Sequence, residues 1–215
     1  MEIIIGIIIW VIAFAITITI HEAAHAWMAD RLGDPTARLL GRLSLNPLKH
    51  YDPVGTTLLL VLVIMRSVGI PVLPFGWAKP VPIDPYNLQD ELKDSALISL
   101  AGPLVNMTLA TILAIILRIF TGELVFSLLY PLLLLNVVLA IFNLIPIHPL
   151  DGGKILIGLL PRKQAREFDL FLNRYGMFLL IFLIFPFAGG SFISSVLDPV
   201  ISFVLNLLVP NFGTI

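Results

Sequence analysis

The sequence predicts an all-helical polytopic membrane protein: five full transmembrane helices, one re-entrant or short hairpin element, and a small extended or β stretch near its polar motifs. Two observations carry that expectation. The 215 residues are 58% hydrophobic and 13% charged, whereas a soluble domain carries roughly 25% charged residues. Several apolar runs also approach or exceed the roughly 20 residues that a helix needs to cross a bilayer. One integral domain spanning 1–215 fits this, with its core at about 3–154 and a C-terminal helical hairpin at about 175–209. A net charge of −1, with no basic patch interleaved with aromatics, gives no reason to expect nucleic acid as a partner. Cysteine is absent, so disulfides and thiolate metal sites are excluded, and any metal must use His, Asp or Glu.

The first helix is expected from about Ile3 to Arg31 or Leu32, stopped by Gly33 with Asp34-Pro35 beyond. Glu2 is the only charge before its apolar run and no small-residue cleavage site follows, so the run reads as a retained helix and not as a signal peptide. Near its far end stand His21-Glu22-Ala23-Ala24-His25. Helix positions i and i+4 share a face, so the two imidazoles can offer nitrogens to one ion while Glu22 stands beside it. Zinc held by three protein ligands keeps a fourth position for water and lowers its pKa to about 7, and a neighbouring glutamate can take the proton. A third ligand must come from elsewhere.

A polar stretch follows from Asp34 to Asp52, carrying Arg38, Arg42 and Lys49. Thr56 to Met65 offers ten apolar residues, too few to cross, before Arg66, Gly69, Pro71 and Pro74 interrupt it. Phe75 to Pro82 is full of helix breakers and reads as extended or re-entrant backbone. A span is expected from Ser95 to Phe120, with Gly102-Pro103 and Asn106 inside it, and Gly122-Glu123 as the turn. The next runs from Leu124 to about Phe142 and leads into Asn143-Leu144-Ile145-Pro146-Ile147-His148-Pro149-Leu150-Asp151-Gly152-Gly153, where two prolines loosen the helix. A polar loop to Arg174 is expected next, then Tyr175 to Phe187 and Phe192 to Val209 as a hairpin turned by Ala188-Gly189-Gly190. Trp27 and Trp77 are placed at the membrane interface.

An ionisable residue at membrane depth is costly and points to function. Asp151 leads as the third ligand because it follows a spanning run, lies in loosened backbone and precedes a glycine pair. His148 is a possible additional ligand and His50 a weaker one; for both, plain interfacial hydrogen bonding is the competing reading. If Asp151 meets His21 and His25, the two helices that end at these motifs cross the membrane in the same direction, which requires an odd number of crossings between them. The Ser95 to Phe120 helix supplies that number alone, so Thr56 to Pro74 enters and leaves on one side. The basic residues Arg31, Arg38, Arg42 and Lys49 after the first helix, and Lys154, Arg162, Lys163, Arg166 and Arg174 after the fourth hydrophobic run, then fall together in the cytoplasm. The expectation is a multi-pass cell-membrane protein with its N-terminus outside, its C-terminus cytoplasmic and its site toward the cytoplasm.

HEAAH at 21–25, GPLVN at 102–106 and NLIPIHPLDGG at 143–153 resemble, in that order, the motif set of the site-2 protease family of intramembrane zinc metalloproteases. NPLKHYDPVGT at 46–56 and FGWAKPVPIDP at 75–85 look like its compact prokaryotic members, which lack PDZ and CBS domains. The resemblance covers about Ile3 to Lys154. It implies one Zn2+ held by His21, His25 and Asp151, Glu22 as the catalytic base, and Asn106, Asn143 and Pro146 as substrate-binding or supporting residues. It also implies cleavage of a transmembrane protein substrate, such as a membrane-anchored transcription regulator or anti-sigma factor, with lipid as the other partner. Two rival readings are a metal transporter, which requires further ligands spaced through successive spans, and a catalytically silent binder of membrane helices. Asn106 and Asn143 have plainer alternatives as interhelical glue and as a cap for carbonyls freed by Pro146.

Overall fold

The computed structural model describes residues 2–67, 69, 76–184 and 192–209, and among them every regular element is helical. Helix α1 spans Glu2–Arg31. Its 30 residues reach about 45 Å at the usual rise, longer than the roughly 30 Å hydrocarbon core. Ala13, Thr17, His21, His25 and Ala29 recur every fourth residue and are all buried, whereas Ile4, Ile8, Ile12 and Ile16 form an exposed row. Gly33, at φ +106°, ends the helix: its N–H donates to Asp30 and the Asp34 N–H to Ala29, closing the last carbonyls as only a left-handed residue allows.

Short helix α2 (Thr36–Leu39) and a 3-10 turn (Pro47–Lys49) lead to α3 (Pro53–Ser67). A second 3-10 turn (Pro85–Asn87) precedes α4 (Glu91–Ile119), followed by α5 (Glu123–Asn143), α6 (Asp151–Leu159), α7 (Arg162–Ile184) and α8 (Phe192–Leu208). The core lies where α4 meets α5. Ala110, Leu113, Ala114 and Leu117 pack on Leu133 and Val137, and the alanines let the two backbones approach closely. The Arg118 side chain at the end of α4 donates to the Leu207 and Leu208 carbonyls, tying down the C-terminal end of α8.

Residue contacts fix the relative directions of the central helices. His21 meets Asn106 and His25 meets Ile98, so α4 runs antiparallel to α1. Thr17 meets Asn136, and His21 and His25 meet Asp151 beyond the end of α5, so α5 runs parallel to α1. This is the relative arrangement that the parity argument requires.

Among the described residues three helices are long and apolar enough to cross a membrane, at Ile4–Arg31, Glu91–Ile119 and Glu123–Asn143, which makes this a membrane protein. Helix α8 is shorter, at 17 residues, and the first half of α7 carries Arg162, Lys163, Arg166 and Arg174. The turn expected at Ala188-Gly189-Gly190, like residues 70–75, lies outside the described residues.

Three expectations change. Helix α4 begins at Glu91 and not at Ser95, because Asp90 caps it by accepting from the Lys93 N–H. The stretch expected as a polar loop up to Arg174 is helical: Ala165, Phe168 and Leu172 recur on one face of α7 and pack on Ile157 of α6 and Leu92 of α4. The β stretch does not form a strand among the described residues. Residues 76–84 are irregular: Pro80 and Pro82 have no N–H to give a ladder, and what holds the segment is largely side chains. Arg42 donates to the Lys79 and Pro80 carbonyls, Asp34 accepts the Asp84 N–H at 2.8 Å, and the Lys79 N–H donates to the His50 carbonyl at 3.0 Å.

Candidate metal centre

His21 and His25 sit one turn apart on the buried row of α1, their rings 4.5 Å between centroids and nearly perpendicular. Each ring is oriented through its Nδ1. His21 Nδ1–H donates to Asn106 Oδ1 at 3.2 Å, and His25 Nδ1–H donates to the Ile98 carbonyl at 2.7 Å, both on α4. A proton on Nδ1 leaves Nε2 with its lone pair free, the tautomer a metal ligand needs. The two Nε2 atoms point at the same carboxylate oxygen: Asp151 Oδ2 lies 3.1 Å from His21 Nε2 and 3.3 Å from His25 Nε2.

Asp151 arrives there as the first residue of α6, after a turn whose carbonyls crowd Gly152. A Cβ on Gly152 would run into the Leu144 and Ile145 carbonyl oxygens, so the glycine is required for the approach. Gly102 on α4 has the same role on the other wall. A Cβ there would lie 2.5 Å from His21 Cε1 and 2.6 Å from His25 Nε2, inside the space that the rings border.

These three residues are the group among the described residues that can hold a metal. They fit zinc: two imidazoles and a carboxylate are ordinary donors, and a tetrahedron with bonds of about 2.0 Å has ligand atoms about 3.3 Å apart. The separations of 3.1 and 3.3 Å from the carboxylate to each nitrogen match that edge.

The remaining expected site residues fall as follows. Glu22 is half-buried beside His21 on α1. Asn106 is fully buried, and its Nδ2 has no partner among the described residues. Asn143 donates to the Leu139 carbonyl one turn back in its own helix at 3.0 Å, and not to a carbonyl freed by Pro146, which is exposed in the turn before Asp151. His148 turns away to Asp169, with Nε2 3.3 Å from Oδ1, and buried His50 donates to the Ser44 carbonyl at 2.8 Å; neither joins the metal group. Sequence reasoning missed Asn136, which is wholly buried on α5 and donates to Thr17 Oγ1 at 2.9 Å, bracing α1 one turn before His21. An asparagine inside an apolar run was its available signal.

Comparison with known proteins agrees with this geometry. Residues 120–183 match Peptidase family M50. YwhC of Bacillus subtilis, named as a candidate zinc metalloprotease, is 38% identical over 161 residues, covering 70% of this chain and 68% of that protein. Rip2 of Mycolicibacterium smegmatis, named likewise, is 31% identical over 211 residues, covering 87% of this chain and 77% of its own length. The zinc metalloprotease MJ0392 of Methanocaldococcus jannaschii is 28% identical over 162 residues, 74% of this chain and 37% of that one. No solved structure matches the chain. With two such relatives aligned over most of both lengths, and a His, His, Asp group where a zinc hydrolase needs one, the chain belongs to peptidase family M50, the site-2 protease family.

Proposed function

We propose that this chain is an intramembrane zinc endopeptidase that hydrolyses peptide bonds within or near the transmembrane segments of membrane-anchored proteins. The observation that carries the proposal is the convergence of His21 Nε2, His25 Nε2 and Asp151 Oδ2 near the end of a span-length helix, next to Glu22. Zinc held by these three residues supplies Lewis acidity and lowers the pKa of a coordinated water. Glu22 is the base that takes a proton from the attacking water and returns it to the leaving amine. The buried, unpartnered Nδ2 of Asn106 is a donor for the scissile carbonyl, while its Oδ1 holds His21. Asn143 and Pro146 support the turn that carries Asp151.

The substrate in this reading is a transmembrane protein such as a membrane-anchored transcription regulator or anti-sigma factor. A helix keeps its carbonyls internally bonded and must be unwound locally before attack. Residues 76–84 offer what an unwound segment needs. The prolines at 80, 82 and 85 hold Lys79, Val81 and Asp84 in extended backbone, and the peptide groups of Val81 and Ile83 have no partner among the described residues. Two residues apart on an extended chain, they point to one edge and can pair with an added strand. We place the N-terminus outside and the C-terminus in the cytoplasm, with α7 and α8 completing five crossings and α3 entering and leaving on one side. The transporter alternative lacks support, since the described residues hold no second metal group along the spans.

Glu22→Gln and Asp151→Ala test the chemistry. The first keeps zinc and loses cleavage of a transmembrane peptide by about 10²-fold or more; the second loses zinc. Undiminished cleavage by purified Glu22→Gln removes the glutamate-base mechanism.

A further inference from the structure

The turn that delivers Asp151 is gripped by two helices at a single residue, His148. On one side Gly153 of α6 packs so closely that a Cβ would lie 2.7 Å from His148 Nδ1. On the other, Gly176 of α7 packs where a Cβ would lie 2.5 Å from the His148 carbonyl oxygen and 3.1 Å from its Cβ. Asp169 lies two turns before Gly176 on the same face of α7, and its Oδ1 is 3.3 Å from His148 Nε2. Close packing at both glycines leaves little room for the His148 backbone to shift alone. Between His148 and Asp151 stand only Pro149 and Leu150, and Leu150 is buried with its N–H bonded to the Ile147 carbonyl at 2.8 Å. A displacement of His148 is therefore passed along the chain to the metal-binding carboxylate.

We propose that Asp169 is a positioning residue. By holding the His148 imidazole it sets the Asp151 carboxylate opposite His21 and His25, and so couples α7 to the metal centre. The proposal rests on the metal-centre reading above. Plain helix packing is the rival explanation, and exposure separates the two. The Asp169 side chain is 44% exposed, so truncating it opens no buried cavity, whereas the His148 side chain is 13% exposed and loses its polar partner.

The test uses the full chain in detergent, with zinc affinity measured by chelator competition, the ligand-field spectrum of the cobalt-substituted protein, and kcat and KM on a transmembrane peptide. In Asp169→Ala, zinc affinity falls about 10-fold, the cobalt spectrum shifts, and kcat falls with KM unchanged. In Asp169→Asn, whose amide oxygen still accepts from His148 Nε2–H, all three return to wild type. His148→Ala reproduces the Asp169→Ala effect, and the double variant adds nothing to it, as two members of one contact require. Wild-type zinc affinity and cobalt spectrum in Asp169→Ala overturn the proposal. So does a loss that Asp169→Asn fails to restore and that comes with a lower apo-protein Tm, because that is a packing defect. Failure of the wild-type chain itself to take up zinc overturns the metal-centre reading instead.

Discussion

Asn106 Oδ1 accepts the Nδ1 proton of His21 at 3.2 Å, so a residue on α4 fixes which nitrogen of an α1 histidine is free to bind metal. An outer-shell partner of this kind typically contributes 10- to 100-fold to metal affinity. Asn106→Ala is expected to weaken zinc binding within that range, measured by chelator competition. The isostere Asn106→Asp keeps the acceptor and is expected to retain zinc while losing cleavage, since it removes the Nδ2 donor. Equal zinc affinity in Asn106→Ala and the wild type would separate this residue from the metal centre.

Gly102 gives a sharper steric test. Its missing side chain leaves the space that the His21 and His25 rings border, and a methyl group there would sit about 2.5 Å from ring atoms of both. Gly102→Ala is therefore expected to displace one or both imidazoles and to lose zinc. Helix propensity alone favours alanine by up to about 1 kcal/mol in a helix interior, so a stabilised apo-protein that no longer holds zinc is the distinguishing result, read from Tm and metal content together.

How much of this was legible in the sequence depends on how local the signal was. His21, Glu22 and His25 could be read because helical spacing alone puts them together, and Asp151 because a charge at the end of an apolar run is rare. The parallel course of α1 and α5 followed from placing Asp151 at the depth of His21 and His25, since both motifs end an apolar run. What stayed hidden lay in long-range contacts. Nothing near His148 in sequence announces Asp169, which is 21 residues away and reached only after two helices fold back. The charges at 162–174 suggested a loop because α7 buries only a narrow stripe there. The expected β stretch failed for a related reason: proline-rich chain is extended whether or not a partner strand exists, and only the fold shows that side chains hold it.

One of those holding side chains makes a pH prediction. Asp34 is fully buried, accepting the Thr36 backbone N–H, the Thr36 hydroxyl and the Asn87 amide through Oδ1 and the Asp84 N–H through Oδ2. Burial pushes its carboxyl up, but those hydrogen bonds outweigh it and hold the group below the usual carboxylate range. A folded-state pKa below the unfolded value of about 3.9 means that the stabilisation is complete at neutral pH and is lost as pH falls below about 4. Asp34→Asn turns one acceptor into a donor facing the Asp84 N–H, and is expected to cost about 1 to 3 kcal/mol at pH 7. The Tm gap between wild type and variant should narrow as pH drops through 4 toward 3. A gap that stays constant would mean the carboxylate charge has no part in holding the corner.

The extended segment itself is tested by removing hydrogen-bonding capacity without touching the metal. Val81 and Ile83 follow Pro80 and Pro82 respectively, and their N–H and C=O groups are unpartnered among the described residues. Proline at either position deletes one N–H from that edge while the backbone remains extended. If a substrate strand pairs there, Val81→Pro and Ile83→Pro each remove a main-chain bond made to the unwound substrate. A bond made equally to bound substrate and transition state would raise KM, whereas one needed to hold the scissile carbonyl in place would lower kcat. The pairing reading expects the second, because unwinding is required before attack, with cleavage abolished or reduced by about 10-fold or more per position and zinc content unchanged. Alanine at the same positions keeps the N–H and is expected to cleave normally. Normal cleavage by both proline variants would show that the substrate does not use this edge, and would leave the zinc chemistry at His21, His25 and Asp151 untouched.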